Sequence, residues 1–293
     1  MEFAKWEALG NDYLIIDEAD LPCSLTAHSI NLLCDRHRGI GSDGILLLCA
    51  VTGAVPGAVA RMRIVNPGGS SLAMCGNGVR PFACYQQGGG RLAGAEFSVV
   101  AQAGALWQSL LAGGRVRLDM GEARFGGEAI DHTLLDLPEG AEVVSIPFVF
   151  RGDALEVAAD ITFVDVGNPH CVIPVADPET VALEVVGPLI ERHPLFPRRV
   201  NVEFISVLPD GAVRMRVWER GVGETQACGT GASAVGVAAV RLGMAADPVV
   251  VRLNGGDLEI AVAGDGHVIM TGPATEVFTG VIADELKGRL GWL

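Results

Sequence analysis

Two short stretches place a thiol where it could do chemistry. MCGNG covers residues 74–78 and ACGTG covers 227–231. Each sets a cysteine, Cys75 or Cys228, directly before Gly-x-Gly and a plausible helix. A glycine turn that opens a helix leaves backbone N–H groups without intrahelical partners. Together with the helix dipole they favour an anion there. That setting predicts a lowered thiol pKa and a cradle for a carboxylate. Two such helix starts facing one cleft would put a sulfur on each side of the carbon next to the carboxylate. One thiolate and one thiol could then take a proton from one face and return a proton to the other. Inversion of an α-amino acid is this reaction.

The α-hydrogen of an amino acid is only weakly acidic, and many enzymes use pyridoxal phosphate as an electron sink. The sequence has no clear lysine-centred motif for that cofactor. The expectation is instead a closed, dry site in which N–H donors stabilise the developing carbanion. Two hinged domains would supply the closure.

The elements that must position the two thiols are written twice. RMRIVNPGGSSLAMCGNG (61–78) aligns without a gap on RMRVWERGVGETQACGTG (214–231). Both begin as alternating strands and both end at Cys-Gly-x-Gly. LGNDYLIID (9–17) echoes VGNPHCVIP (166–174), and DRH (35–37) echoes ERH (191–193), each in the same order. Matched pieces in one order imply internal duplication. The expected architecture is α+β: two pseudo-symmetric domains, each a mostly antiparallel sheet or barrel wrapped round a central helix. Residues 1–120 form the first domain with Cys75, and 121–274 form the second with Cys228. The tail at about 275–293 looks like a strand that returns to the first domain. Helices are expected over 78–90 and 231–244, the second apolar nearly all round and so buried. Pro81 is expected in the first turn of its helix, where a missing N–H costs nothing.

Composition narrows the class. The 293 residues carry a net charge of −14 and are 49% hydrophobic. An acidic surface repels phosphate backbones, so nucleic acid is not an expected partner. The N-terminus lacks a basic stretch followed by an apolar one, so no secretory signal is read. The uncharged run between Asp43 and Arg61 is broken by Gly53, Pro56 and Gly57; it reads as strand, turn and strand, not as a membrane span. The seven cysteines have no zinc spacing. Cys23, Cys34, Cys49, Cys84 and Cys171 are expected to be small buried hydrophobes.

MCGNGVR, ERGVGETQACGTG, ALGNDY, DRHRGIGSDG, VGNPHCV and PRRVNVEF together resemble the diaminopimelate epimerase family, over most of the chain. The resemblance implies a cytoplasmic homodimer, without pyridoxal phosphate or metal, that interconverts LL- and meso-diaminopimelate for lysine and peptidoglycan synthesis. It implies that Cys75 is the proton donor and Cys228 the acceptor for the LL substrate. Gly76, Asn77, Gly229 and Thr230 would bind the reacting carboxylate. Asn11, Asn66, Asn168, Asn201 and Arg220 would read the rest of the substrate, and Glu219 and His170 would flank the reacting centre. The substrate carries two ammonium and two carboxylate groups; Asn offers both donor and acceptor, and Arg a bidentate fork.

Some positions depart from the family pattern. NPGGS (66–70) replaces Asn-Ala-Asp-Gly-Ser, Arg38 takes a place often aromatic, and Gly44 stands where some members have a Gln that touches substrate. Proline and hydroxyproline racemases share the two-cysteine frame, but their first motif reads Cys-Gly-His-Gly. The same residues also suit a histidine racemase on this frame, a non-catalytic amino-acid binder or a thiol redox protein. Taken as turn residues, Asn11, Asn66 and Asn168 would need no function. His170 could be a satisfied core histidine, and Glu219–Arg220 a surface ion pair.

Overall fold

A computed structural model describes residues 1–51, 58–68, 76–90, 94–101, 104–152 and 155–293. The chain forms two compact units, Met1–Leu118 with Gly272–Leu293, and Asp119–Thr271. The fold is mixed α+β.

The first unit begins with β1 (Glu2–Ala8) and β2 (Asn11–Asp17), joined by a two-residue turn. Leu9 and Gly10 both have positive φ there, the geometry of a tight hairpin. Next come α1 (Ala27–Cys34), β3 (Gly44–Cys49), β4 (Ala58–Val65), α2 (Gly76–Gly88), β5 (Glu96–Ala101), β6 (Gly104–Leu111) and β7 (Arg115–Glu122). The chain passes to the second unit within β7. The pairings are β1–β2 antiparallel, β2–β3 parallel, β3–β4 antiparallel, β4–β5 parallel, and β5–β6 and β6–β7 antiparallel. The uncharged run after Asp43 thus supplies β3 and β4, while the turn expected at Gly53, Pro56 and Gly57 lies outside the described residues.

The second unit holds β8 (Ile146–Arg151), β9 (Glu156–Asp165), β10 (Pro169–Pro174), α3 (Leu183–Glu191), β11 (Asn201–Val207), β12 (Val213–Glu219) and β13 (Gly223–Glu224). It continues with α4 (Gly229–Arg241), β14 (Val249–Leu253), β15 (Gly256–Val262) and β16 (His267–Pro273). Here β9–β10 is antiparallel, β10–β11 parallel, β11–β12 antiparallel, β12–β14 parallel, and β14–β15 and β15–β16 antiparallel. Strand for strand this repeats the first unit from β1 to β7, with a helix after the second strand and another after the fourth. The tail returns as β17 (Thr275–Val281), antiparallel to β1, followed by α5 (Asp284–Leu290).

Why these residues build these elements follows from which faces are covered. β3 reads GILLLC and is buried at every residue. An unbroken apolar run of that kind belongs to a strand covered on both faces. One face of β2 and β3 (Leu14, Ile16, Ile45, Leu47) packs with Ile30 and Leu33 of α1 and Leu290 of α5, while α2 packs against β1, β2, β6 and β17. In the second unit α4 touches β9, β10, β11, β12, β14 and β15. Its sequence GTGASAVGVAAVR is small enough for that enclosure, and Gly229 and Gly231–Ala239 are buried. A cluster of Phe150, Phe163, Phe196 and Phe204 with Leu183 and Ile190 of α3 forms the other core of this unit.

Two local expectations are corrected. Pro81 lies inside α2, in its second turn, because the helix starts at Gly76 rather than at Gly78. Cys23 is exposed in the loop before α1, whereas Cys34, Cys49, Cys84 and Cys171 are buried as expected. Burial is the main reason that the thiols of Cys49 and Cys84 are pushed up to about 12 and about 11. Both are inert in that state.

Candidate active site

Cys228 is the N-cap of α4. It is 6% exposed, and its Sγ accepts from the Gly231 N–H at 3.4 Å. The Thr230 hydroxyl lies 3.5 Å from the same sulfur. The second glycine of CGTG has a steric reason: a Cβ on Gly231 would lie 2.9 Å from Glu203 Oε1 and 3.0 Å from Met215 Cε. A side chain at 231 would have to push aside the Met215 methyl and the Glu203 carboxyl that His170 holds.

Around the sulfur stands a chain of polar groups from three strands. Glu219 ends β12 and accepts from the Thr225 hydroxyl, and its carboxyl acts on the Cys228 thiol electrostatically. His170 of β10 is fully buried; its Nδ1 is 2.6 Å from Glu203 Oε1 and its Nε2 is 3.0 Å from Asn168 Oδ1. Asn168 Nδ2 in turn donates to Thr230 Oγ1 at 3.3 Å. With acceptors on both sides of the ring, the arrangement is satisfied when Nε2 bears a hydrogen and Nδ1 shares a proton with Glu203. Glu203 Oε2 has no hydrogen-bond partner among the described residues.

The electrostatics correct one expectation. The Cys228 thiol is held well above its ordinary pKa, chiefly by burial and then by the nearby Glu219 and Glu203 carboxyls; the donors Thr230 and Gly231 only offset part of this. The helix start alone does not make a thiolate here. Glu219 and Glu203 are themselves pushed up by burial, Glu203 against the pull of His170.

Other residues expected in the site have structural tasks. Asn201 opens β11 with its Nδ2 donating to the Pro169 carbonyl at 3.0 Å and its Oδ1 accepting from the Arg220 N–H at 2.9 Å. It thereby clamps the loop that follows Glu219. Arg220 itself is exposed and its Nη1 donates to the Arg198 carbonyl at 3.0 Å; it does not pair with Glu219. Gly229 and Thr230 are the first two residues of α4, where N–H groups are without helical acceptors.

The first unit carries the remaining candidates. Asn11 opens β2, Asn66 directly follows β4, and Gly76 and Asn77 open α2. Asn77 is buried and its Oδ1 accepts from Arg80 Nη2 at 3.4 Å. Beside Asn11, Asp12 is bound by both Nη groups of Arg36 at 2.9 Å and by Lys5 at 2.9 Å, which holds its carboxyl well below the usual range against its burial. Cys75 lies outside the described residues, as do Gly69 and Ser70. Sequence reasoning missed Glu203 and Thr225. A carboxylate in the middle of the buried strand NVEFISV was a usable signal for the first, and ERGVGET contained the second.

Among the described residues no group of three or more His, Cys, Asp or Glu could hold a metal ion. No described helix is long and apolar enough to cross a membrane.

The fold is that of solved racemases and epimerases. A probable proline racemase from Agrobacterium radiobacter superposes with TM-score 0.66 at 17% identity, over 96% of this chain and 92% of that one. A hydroxyproline epimerase from Agrobacterium vitis gives 0.64 at 17%, over 96% and 91%. The sequence is far more specific. The family model for diaminopimelate epimerase matches residues 3–126 and 162–277. Diaminopimelate epimerases from Synechocystis sp. and Pelotomaculum thermopropionicum are 43% and 44% identical, each over 96% of this chain and 98% of their own. The chain belongs to the diaminopimelate epimerase family, a family of isomerases.

Proposed function

We propose that this chain interconverts LL- and meso-diaminopimelate with Cys228 and Cys75 as paired acid and base. The observation that carries the reading is Cys228 at the start of α4, touched by Gly231 and Thr230 and under the charge of Glu219, in a chain so similar to named diaminopimelate epimerases. A thiolate takes the α-proton and the opposite thiol delivers its own proton to the other face. The C–H bond broken on one side is re-formed on the other, and no electrons leave the substrate.

The chain's residues fit each requirement. The N–H groups at the start of α4 suit the reacting carboxylate, whose added charge in the carbanion they stabilise. Glu219, with one oxygen bonded by Thr225, suits the α-ammonium. That pairing also bears on acidity: a bound ammonium offsets the carboxylate charge that holds the Cys228 proton in place. Asn168 and His170 then act on Cys228 through Thr230. Asn11, Asn66, Asn77, Gly76, Asn201 and Arg220 complete the reading of the substrate, with Asn201 acting by clamping the loop. Each sequence repeat contributes one thiol, Cys75 in the first and Cys228 in the second. The protein works in the cytoplasm as a homodimer, which light scattering after size exclusion would check.

The test is α-hydrogen exchange in D₂O with LL-diaminopimelate, with metal chelated and no pyridoxal phosphate added. The expected result is deuterium uptake with formation of the meso isomer, reduced about 10²- to 10⁴-fold in Cys228→Ala and in Cys75→Ala, the range for losing a general acid or base. Full activity in either variant would refute the two-thiol reading. Turnover of histidine or proline in place of diaminopimelate would move the chain to another substrate.

A further inference from the structure

The duplication allows each residue of the first unit to be compared with its partner in the second. β2 pairs Tyr13 with Gly44, and β10 pairs His170 with Asn201. Gly44 and Asn201 are therefore equivalent, each the first residue of its strand. Across the next pairing, Ile45 faces Val65 and Val202 faces Trp218, so one step on Gly44 comes opposite Asn66 and Asn201 opposite Glu219. The gap-free repeat independently sets Asn66 on Glu219. The second unit thus has two long side chains where the first has one.

Glycine at position 44 is not demanded by its backbone, which stays out of the left-handed region. The demand comes from a neighbour. A Cβ on Gly44 would lie 2.7 Å from Asn66 Oδ1 and 3.3 Å from the Val65 carbonyl oxygen. In the second unit Asn201 fills this position and clamps the loop, while Glu219 turns to Thr225. In the first unit the amide of Asn66 lies against the bare backbone of Gly44.

We infer that Gly44 is a positioning residue for substrate recognition: by lacking a side chain it sets the orientation of Asn66. This rests on the reading of Asn66 as a substrate contact. The clash partner is the end of a short, flexible side chain, so a methyl group at 44 displaces the Asn66 amide and leaves the strands paired. The second close atom, the Val65 carbonyl, needs a shift of only a few tenths of an ångström.

The experiment measures kcat and KM for LL-diaminopimelate in wild type, Gly44→Ala, Asn66→Ala and the double variant, with thermal melts on each. Gly44→Ala is expected to raise KM about 3- to 10-fold, the worth of one neutral hydrogen bond. Its kcat should stay within about twofold and its melting temperature should not move. Asn66→Ala should raise KM by a similar factor, and the double variant no further, since both act through one contact. An unchanged KM in Gly44→Ala, an unchanged KM in Asn66→Ala, or additive effects in the double variant would overturn the inference. A folded wild type without activity on diaminopimelate would instead sink the functional reading.

Discussion

Replacing Glu219 by Gln should loosen the proton on Cys228 while impairing turnover. Burial raises the thiol, and the carboxyls of Glu219 and Glu203 raise it further. Of the two carboxyls, Glu219 has the larger effect on the thiol. Two unit charges about 4 Å apart at an effective dielectric of about 20 interact by roughly 4 kcal/mol. Glu219 is only half-buried, so solvent screening removes more than half of that. About 1.4–2 kcal/mol remains, which corresponds to a roughly 10- to 30-fold larger thiolate fraction at a given pH. Gln keeps the shape and its carbonyl can still accept from Thr225. The assay is the rate of iodoacetamide alkylation at about pH 8, resolved by peptide, since only the thiolate reacts. Because a less basic thiolate is also a weaker nucleophile, the Cys228 peptide should react roughly 3- to 8-fold faster in the variant, while Cys34 and Cys171, both buried, report any general loosening. Epimerase turnover should fall at the same time if, as proposed, Glu219 accepts the substrate ammonium. An unchanged Cys228 rate would show that burial alone holds the proton and would refute the electrostatic argument.

Two further outcomes test the second unit. A Cβ on Gly236 would lie 2.6 Å from Ile260 Cβ and Cγ2, and a β-branched strand residue cannot swing away. Gly236→Ala gains up to about 1 kcal/mol of helix propensity but overpacks at a cost of about 1–3 kcal/mol or more, so urea denaturation should show a net loss. His267 has its pKa raised from 6.5 by its bond to Asp119 at 3.0 Å. Its stabilisation is therefore complete below the ordinary value and fades as pH rises through the folded value. His267→Asn should lower the melting temperature below about pH 6 and leave it unchanged well above the folded value; equal losses at both pH values would contradict the pairing.

The repeated pattern in the sequence carried the fold because strand order and apolar periodicity survive divergence. RMRIV and RMRVW each precede Cys-Gly-x-Gly, and the strands they form, β4 and β12, occupy equivalent places. Gly-Asn at 10–11 and 167–168 marks equivalent hairpins for the same reason. The thiol's state was not legible. A helix start predicts thiolate, but the opposing groups come from β11 and β12, and no local window shows that Glu203 lies beneath Gly231. Gly44 was legible only as a departure; that the space belongs to Asn66 required the register of β3 against β4.

What divergence did after duplication has a chemical logic. Tyr13 stands where the second unit has His170, Leu46 where it has Glu203, and Asn66 where it has Glu219, as the strand registers require. The ionisable neighbours have been kept or acquired around Cys228, while the equivalent positions of the first unit are neutral. A racemase acting on mirror-image substrates gains nothing from such a bias, because its two thiols meet energetically equal molecules. LL- and meso-diaminopimelate are diastereomers whose distal centre is held fixed, so the two faces of the reacting carbon need not be served alike. Under the proposed reading, the charged half holds the ammonium and governs one proton, and the amide-bearing half can be spared for recognition. Under that reading, the duplication supplied two thiols and the later differences between the repeats serve to tell the substrate's ends apart.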